Sequence, residues 1–357
     1  MFVDLSHLVW ELQVRRDRRF ELLPFESSSD LLFSLMPPGR HGEPGNHSEG
    51  TEFILLGITD LRSLQLLLFA VLLPTYLLTL LGNLLIVALS LADPRLQTPM
   101  YYLLRNFSLL EVGFTSDIMP QVLSQLLTGH KAISPARCFL QMSLYFILGT
   151  VESFLLAVMS VDRYLAICRP LRYPALMTGR VCLGLVLGCW AGGFFFLTGP
   201  CIWVTFLPFC GPKVLDHFFC DNSPLLRLAC TEPRLLQVLS FLIAVGSLAG
   251  GVAVTAASYF CIIRALLRLP SVHGRRKAFS TCSSHILVVS LSYGSCIIMY
   301  LRPTQSSRLD LNKGVVFFNT VVAPLLNPFI YCLRNELVQQ VSREVLAKGR
   351  LSGPLRL

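Results

Sequence analysis

Seven long hydrophobic runs, separated by short polar and charged stretches, dominate the pattern of the chain. Each run exceeds the roughly 18 apolar residues that a helix needs to cross the hydrocarbon core of a bilayer. The second run is the weakest, because it includes Arg105, Glu111 and Asp117. The predicted spans, six clear and one doubtful, are Leu64–Ala92, Leu96–Gly129, Cys138–Val161, Val181–Pro212, Leu235–Ile263, Ala278–Leu301 and Gly314–Leu333.

The length and uniformity of these runs predict helices rather than barrel strands. A segment in lipid must satisfy its backbone hydrogen bonds, which only helices and closed barrels achieve, and barrel strands alternate in polarity over about ten residues. The predicted fold class is therefore an all-α membrane protein, a seven-transmembrane helix bundle. After the last span, a short C-terminal amphipathic helix is indicated by Glu336, Val338, Val341 and Val345.

The composition fits a membrane protein better than a soluble one. Hydrophobic residues make up 53% of the chain and charged residues 14%, against about 25% charged residues in an ordinary soluble domain. In a soluble protein the net charge of +9 would suggest nucleic-acid binding. Surfaces that face lipid, however, cannot contact nucleic-acid bases. We expect membrane lipid as a partner and no nucleic acid.

Basic residues near the span ends predict the orientation. With the N-terminus outside, the inner segments hold 15 Lys and Arg and the three outer loops hold 8, although the N-terminal segment adds six more outside. The sequon that begins at Asn46 agrees, and glycosylation is expected there. We expect a multi-pass plasma-membrane protein with a largely disordered extracellular tail over 1–62, a seven-helix domain over 63–333 and a cytoplasmic tail over 334–357.

Four of the twelve cysteines lie where an outer, oxidising environment is predicted. Cys138 opens the third span, and Cys210, Cys220 and Cys230 lie in the second outer loop. Two disulfides are therefore expected. Four cysteines allow three pairings, and the sequence leaves the choice among them open.

Four strings of residues at the span ends resemble a known family. They are Pro99-Met100-Tyr101-Tyr102, Ser160–Cys168 with its Asp-Arg-Tyr, Lys277–His285, and Pro324–Tyr331 with its Asn-Pro-x-x-Tyr. The short motifs resemble the rhodopsin-like G-protein-coupled receptors, and the longer strings with the three-cysteine loop are similar to the odorant (olfactory) receptor family over about residues 46–340. One departure is Ser160-Val161, where that family usually has Ala-Tyr before Asp-Arg-Tyr.

The resemblance implies an activation switch at the inner ends of the third and seventh spans. A charge pair such as Asp162 and Arg163 can hold an inactive packing and break when a partner enters; ordinary positive-inside charge is the alternative. A proline in the last span removes a backbone hydrogen bond and permits a bend, which is either a hinge or a static kink. The expected switch residues are Asp162, Arg163, Tyr164, Asn327, Pro328 and Tyr331.

Acidic residues lie deep in the second span (Glu111) and the third span (Glu152). Placing such a residue in the bilayer costs free energy, so acids at these depths are usually functional. By resemblance, Glu111 belongs to a sodium-binding pocket with Asn83 and Asn327, and Glu152 lies where odorant receptors commonly carry an acid. A bridging ion would relieve the repulsion between the two carboxylates; protonation of one of them is the alternative. A sodium ion is the one possible cofactor, and no other metal site is expected.

By resemblance, the ligand lies between spans three, five, six and seven. The expected ligand-binding residues are Tyr145, Phe146, Gly149, Thr150, Tyr293, Cys296, Tyr300, Phe317 and Thr320. This set is aromatic and small, with a few hydroxyls and no facing charge, which suits a small and mostly apolar molecule.

The sequence thus predicts an odorant receptor that is not an enzyme. The expected partners are a small-molecule odorant and a heterotrimeric G protein of the stimulatory, olfactory type, which raises cyclic AMP. The alternatives are a non-olfactory chemoreceptor of the same fold or a membrane transporter. The transporter is disfavoured because such folds usually show an internal repeat, whereas the motifs at the two ends of this chain are unrelated.

Overall fold

A computed structural model describes residues 52–210, 212–268, 272–301, 309–333 and 336–351. Its long helices are α1 (Arg62–Ala92), α2 (Pro99–Thr128), α3 (Pro135–Cys168), α4 (Gly179–Thr205), α5 (Arg234–Leu267) and α6 (Val272–Leu301). The seventh, α7, is an α-helix over Leu309–Phe317, a π-helical stretch over Phe318–Val322 and an α-helix over Ala323–Leu333. It is followed by α8 (Glu336–Leu351). The sequon at Asn46 lies outside the described residues.

Short elements connect these helices. A 3₁₀ turn covers Pro94–Leu96, and short helices cover Tyr173–Leu176 and Asn222–Arg227. Three strands, β1 (Phe53–Leu55), β2 (Ala132–Ile133) and β3 (Val214–Leu215), form a small sheet in the order β2-β1-β3. Strand β1 is antiparallel to β2, with Phe53 opposite Ile133, and parallel to β3, with Ile54 opposite Val214. We call the end of the bundle that carries this sheet the outer end and the opposite end the inner end.

Each predicted span overlaps one long helix, so the seven-helix prediction is confirmed. Within the described part of the chain, six helices are long and apolar enough to cross a membrane, and α2 is the exception. Its charged residues had already made it the doubtful span. The fourth span was predicted too long, because α4 ends at Thr205 rather than at Pro212. Pro208 disfavours a helical conformation in the residue before it, and the chain beyond pairs instead with residues 228–230.

Helix α3 occupies the centre of the bundle. It contacts α2, α4, α5 and α6. Half of the residues in the most apolar stretch of α3 are buried in the protein, compared with 17% in α1 and 11% in α5. Helices α1 and α5 therefore expose most of their apolar surface to lipid. A helix that contacts four others can couple events at the two ends of the bundle.

The predicted amphipathic helix is present as α8. Val338 and Val341 are buried against the bundle, as their three-residue spacing requires. On its polar face, Glu344 accepts a hydrogen bond of 2.7 Å from Arg95, which also pairs with Asp93 at 2.8 Å. The hydrogen bond from Arg95 lowers the pKa of Glu344. These contacts join α8 to the turn between α1 and α2.

A close approach between α1 and α7 depends on a glycine. An added Cβ on Gly82 would lie 2.9 Å from Cγ and 3.1 Å from Cβ of Pro328. These distances are shorter than ordinary van der Waals contact, so the proline ring fits against α1 only because residue 82 has no side chain.

Replacing Gly82 with alanine is expected to lower the stability of the folded protein by about 1–3 kcal/mol, the usual cost of overpacking. The matched control is Gly184→Ala in α4, because nothing lies within 4 Å of an added Cβ there and alanine favours the helix. Thermal unfolding of the detergent-purified protein measures both changes. Equal melting temperatures for the two variants would contradict the close approach.

Candidate functional site

A cavity lies between the helices in the outer part of the bundle. Residues from α2 to α7 line it, together with Asn222 at the start of the short helix that follows β3. Its volume is about 110 Å³, counted as the space open to the centre of a water molecule. One water molecule needs roughly 10–15 Å³ on that measure, so the cavity accommodates a small organic molecule.

The structure places six of the nine predicted ligand-binding residues in the wall of this cavity. The side chain of Tyr300 lies outside the described part of the chain. The four α3 residues in this set lie at i, i+1, i+4 and i+5, a spacing that places them on one face of the helix. The six lining residues are Tyr145, Phe146, Gly149, Thr150, Tyr293 and Cys296.

Phe317 and Thr320 do not line the cavity, and their prediction as ligand residues needs correction. The Phe317 ring packs on Phe218 of the outer loop, with ring centroids 6.3 Å apart. The Thr320 hydroxyl is buried and donates to the carbonyl oxygen of Val316 over 2.9 Å. The π-helical stretch of α7 carries an extra residue, which changes the face directed at the cavity, and Asn319 lines it instead.

Sequence reasoning expected span five beside the ligand but named none of its residues, and it missed the wall formed by α4. Pro200 and Cys201 of α4 contribute to one wall, and Ser240 and Ser247 of α5 contribute to another. The serines carried a usable signal, because hydroxyls in an otherwise apolar span usually face a cavity or another helix. The α4 wall carried no such signal, since its residues match a helix that packs against lipid.

The expectation that no charged group faces the cavity was wrong. Glu152 of α3 lines the wall and is buried, with 8% of its surface exposed. It lies seven residues, about two helical turns, beyond Tyr145 on the same face of α3. The sequence had assigned this acid to an ion site alone, whereas the structure makes it part of the cavity as well.

Aromatic side chains cover the outer side of the cavity. The Tyr145 ring stacks on Phe114 at 5.2 Å and meets Phe219 of the outer loop at 4.8 Å. The four outer cysteines pair as Cys138–Cys220 and Cys210–Cys230, which selects one of the three possible pairings. Because the disulfide to Cys138 joins Cys220 to the start of α3, it fixes the neighbouring Phe219 over Tyr145.

His217 lies in the same part of the outer loop. It is buried against Phe218 and Phe219, with ring centroids 4.6 and 4.7 Å away. The preceding Asp216 accepts a hydrogen bond of 2.5 Å from Lys313 of α7. Burial lowers the pKa of His217, and the nearby charge of Lys313 acts in the same direction. The charge of Asp221 acts in the opposite direction, but burial is the largest effect. A buried imidazole with a lowered pKa is therefore part of the cover of the cavity.

A buried polar centre connects α1, α2 and α7 below the cavity. The Asn327 side-chain amide donates to a Glu111 carboxylate oxygen over 2.5 Å. The Asn83 side-chain amide donates to the carbonyl oxygens of Thr79 and Pro324 over 3.0 and 3.3 Å. These bonds attach the helix around Pro328 to its neighbours at the point where proline removes a backbone donor.

The four predicted ion-site residues converge on this centre. Glu152 lies close enough for its charge to act on Glu111. Among the residues that the structure describes, the side-chain oxygens Asn83 Oδ1 and Asn327 Oδ1 are buried and have no hydrogen-bond partner. Carboxylate and amide oxygens are the ligands that hard cations prefer, and the two orphaned amide oxygens are free to coordinate one.

At the inner end of α3, the predicted charge pair is formed. The Arg163 guanidinium donates to the Asp162 carboxylate through Nε over 3.0 Å and through a second nitrogen. The Tyr173 hydroxyl of the short helix Tyr173–Leu176 donates to the other Asp162 oxygen over 2.7 Å. Burial raises the pKa of Tyr173, so this hydroxyl remains a donor. Sequence reasoning had not included Tyr173.

The other switch residues lie nearby. Tyr164 packs beside a small apolar cluster of α5 and α6. The Tyr331 ring packs edge-on against Phe107 at 6.2 Å, and its hydroxyl is buried without a partner. Between α5 and α6, the Tyr259 hydroxyl and His285 Nδ1 lie 2.6 Å apart. The inner core thus contains polar groups of α3, α5, α6 and α7, and the Tyr331 hydroxyl has no bond that would hold it in place.

The two charged residues of α2 that sequence reasoning could not place have different surroundings. The Arg105 guanidinium lies over the Tyr102 ring, 4.9 Å from its centroid. Asp117 has one buried carboxylate oxygen without a partner, while its backbone carbonyl accepts a bond of 2.9 Å from Gln141. The stacking accounts for Arg105, but nothing in the structure explains the Asp117 carboxylate.

Comparison with known proteins gives one consistent result. The family model described as olfactory receptor matches residues 72–348. The mouse (Mus musculus) protein named olfactory receptor 6E1 is 55% identical over 304 residues, which are 85% of this chain and 97% of that protein. The human (Homo sapiens) protein named olfactory receptor 6S1 is 51% identical over 306 residues, which are 85% of this chain and 92% of that protein. The expectation of a receptor rather than an enzyme is confirmed.

Lowering the pH from about 7.5 to 5 is expected to destabilise the folded protein through His217. Its folded pKa is below the unfolded value of about 6.5, so the unfolded state binds the proton first. The contribution of His217 to the free energy of unfolding is complete above pH 6.5. It decreases as the pH falls from 6.5 toward the pKa of the folded state. His217→Gln should flatten this part of the profile of melting temperature against pH.

The control for this measurement is His130→Gln, because His130 is exposed. That variant should keep the slope of the unchanged protein. A profile for His217→Gln that matches the unchanged protein between pH 7.5 and 5 would show that the buried imidazole does not contribute.

Proposed function

This chain belongs to the olfactory receptor family, and we propose that it binds a small odorant in the cavity between its helices and activates a stimulatory G protein. Activation would raise cyclic AMP, as expected for the olfactory type of G protein. The cavity supports the first part of this proposal, since it lies between the helices, is mostly apolar and is sized for a small molecule.

The observation that carries the proposal is the double role of α3. One helix lines the cavity with Tyr145 and Gly149 and ends in the Asp162–Arg163 pair. Gly149 and Arg163 are separated by about 21 Å of helix, at 1.5 Å per residue. A small rotation or shift of this rigid element therefore changes both the cavity and the pair at the inner end.

The proposed mechanism is a shift between two packings of α3, α6 and α7. An odorant that fits one packing better increases its population. In the structure, Arg163 is held by Asp162, and Asp162 is held by Tyr173. When the inner ends of α3 and α6 separate, Arg163 leaves Asp162 and the G protein docks against the exposed inner surface.

The chain is a multi-pass membrane protein, and we propose that it lies in the plasma membrane with its N-terminus outside. Two observations support this orientation. The disulfides Cys138–Cys220 and Cys210–Cys230 lie at the outer end, where an oxidising environment stabilises them. The excess of Lys and Arg lies on the segments that join the helices at the inner end.

A sodium ion is proposed to stabilise the packing without odorant. Glu111 and Glu152 would supply charge, and the orphaned oxygens of Asn83 and Asn327 would complete the set of ligands. The ion would supply positive charge between two buried carboxylates. Asn327 holds Glu111 in position, so a shift of α7 would change this site.

Sodium is expected to raise the melting temperature of the purified receptor relative to choline at the same ionic strength. A ligand at 100 times its Kd stabilises the folded state by about 2.7 kcal/mol. Glu111→Gln should abolish the difference between the two salts, while Asp117→Asn, an acid on the same helix outside this site, should keep it. Equal melting temperatures in both salts would exclude the ion site.

The function is tested by measuring cyclic AMP in cells that express the receptor at the surface, with a panel of odorants. At least one odorant should raise cyclic AMP in a saturable manner. Arg163→Ala should remove this response, because the side chain that changes partners is absent. The control is Arg169→Ala, an exposed arginine beyond the end of α3.

The two parts of the proposal fail in different ways. An Arg163→Ala receptor that responds fully to the odorant would reject the switch role of that residue. A receptor that reaches the surface, binds an odorant and leaves cyclic AMP unchanged would reject coupling to a stimulatory G protein.

A further inference from the structure

The cavity wall contains polar atoms that the protein itself does not satisfy. Ser153 Oγ of α3, Ser292 Oγ of α6 and Asn222 Oδ1 beneath the outer loop are buried, and none has a partner within ordinary hydrogen-bond distance in the described structure. Ser292 lies near Glu152, and Ser153 lies near Tyr293. Buried polar groups are normally paired, and each one left unpaired weakens the folded state. Three such atoms in one cavity point to a ligand or to water that completes their bonds.

The chemistry of these atoms determines what they require. The Asn222 side-chain oxygen only accepts hydrogen bonds, whereas the two serine hydroxyls both donate and accept. Glu152 and Ser153 are adjacent in α3, and both line the cavity beside Ser292. The cavity therefore offers more acceptors than donors, and a ligand that donates a hydrogen bond fits it best.

The wall offers no counter-charge for an anion. Among the described residues that line the cavity, none is Lys, Arg or His. Lys313, the basic residue of α7 near the outer loop, is already paired with Asp216. An ionised carboxylic acid in this cavity would lose its hydration without gaining a basic side chain as a partner, so its burial is strongly unfavourable.

The remaining wall is apolar. Phe114, Met142, Pro200 and Val204 face the same space as the polar group of Glu152, Ser153 and Ser292. An apolar body would contact these side chains while a polar head group reaches the serines and the carboxylate. This division of the wall sets an orientation for the ligand as well as its chemical class.

From these contacts we propose that the receptor selects small molecules with an apolar body and one neutral or cationic hydrogen-bond donor, an alcohol, phenol or amine, and discriminates against carboxylic acids. The polar end of the cavity, formed by Glu152, Ser153 and Ser292, binds the head group through hydrogen bonds. This inference rests on the proposed function, because it takes the cavity to be the odorant site.

The test uses two sets of probes in which only the head group changes. One set is heptane, heptanal, 1-heptanol, heptylamine and heptanoic acid, and the other is toluene, benzaldehyde, benzyl alcohol, benzylamine and benzoic acid. Binding is measured as the rise in melting temperature of the purified full-length receptor, which does not depend on a G protein. The alcohol and the amine should bind at least about tenfold more tightly than the acid of the same set, since one unmet polar group costs about a factor of ten.

Variants locate the discrimination in the wall. Glu152→Gln keeps the shape of the side chain and removes its charge, so the preference for amine over acid should fall by at least about tenfold. Ser292→Ala should reduce the binding affinity for the alcohol toward that for the alkane of the same set. Ser143→Ala is the matched control, because its hydroxyl donates to the Phe139 carbonyl on the same helix as Glu152 and does not line the cavity.

The outcomes separate this inference from the proposed function. Acids that bind as tightly as alcohols, or a Glu152→Gln receptor with unchanged preference, would overturn the selection rule even if odorants still raised cyclic AMP. The predicted order of binding without any cyclic AMP response would support the rule and reject the signalling proposal. Failure of all ten probes to bind would overturn the inference.

Discussion

The hydrogen bond from Asn327 to Glu111 joins the two least regular helices of the bundle. One of these, α2, carries three charged residues, and the other, α7, contains a proline and a π-helical stretch. An unpaired polar group in lipid is costly, and this bond pairs one polar side chain of each helix. This constraint explains why the polar side chains of the spans gather inside the bundle, where a network can be rearranged by a ligand or an ion.

Helix α3 connects the buried polar network to the outer cavity and to the inner end of the bundle. Its outer half supplies the aromatic and small residues of the cavity, its middle supplies Glu152, and its inner end supplies the Asp162–Arg163 pair. Glu152 acts on Glu111 and also faces the cavity. A ligand that contacts Glu152 thereby affects the group that Asn327 holds, without any long chain of intermediate contacts.

The outer end of the receptor is fixed more firmly than its inner end. The sheet of β1, β2 and β3, together with the disulfide from Cys138 to Cys220, places Phe219 and His217 over the cavity. Covalent and backbone constraints of this kind keep the shape of a site while its lower boundary moves. At the inner end, by contrast, side-chain hydrogen bonds such as that of Tyr173 to Asp162 hold the packing, and these exchange partners at low cost.

The sequence by itself determined the seven helices and α8, because lipid demands long apolar runs and a helix repeats every 3.6 residues. The cysteines of the outer loop predicted two disulfides, and the α3 residues of the cavity were expected from the family resemblance. It could not determine contacts between residues far apart in the chain. The pairing of Cys138 with Cys220, the bond of Tyr173 to Asp162 and the sheet that includes β1 all arise from tertiary packing. Tertiary structure also decided that Asn319, and not the expected Thr320, lines the cavity. The π-helical stretch of α7 changes which residues face the cavity, compared with a regular helix. Glu152 shows the division most clearly: the sequence identified a buried acid, and only the arrangement of five neighbouring helices made it part of the cavity.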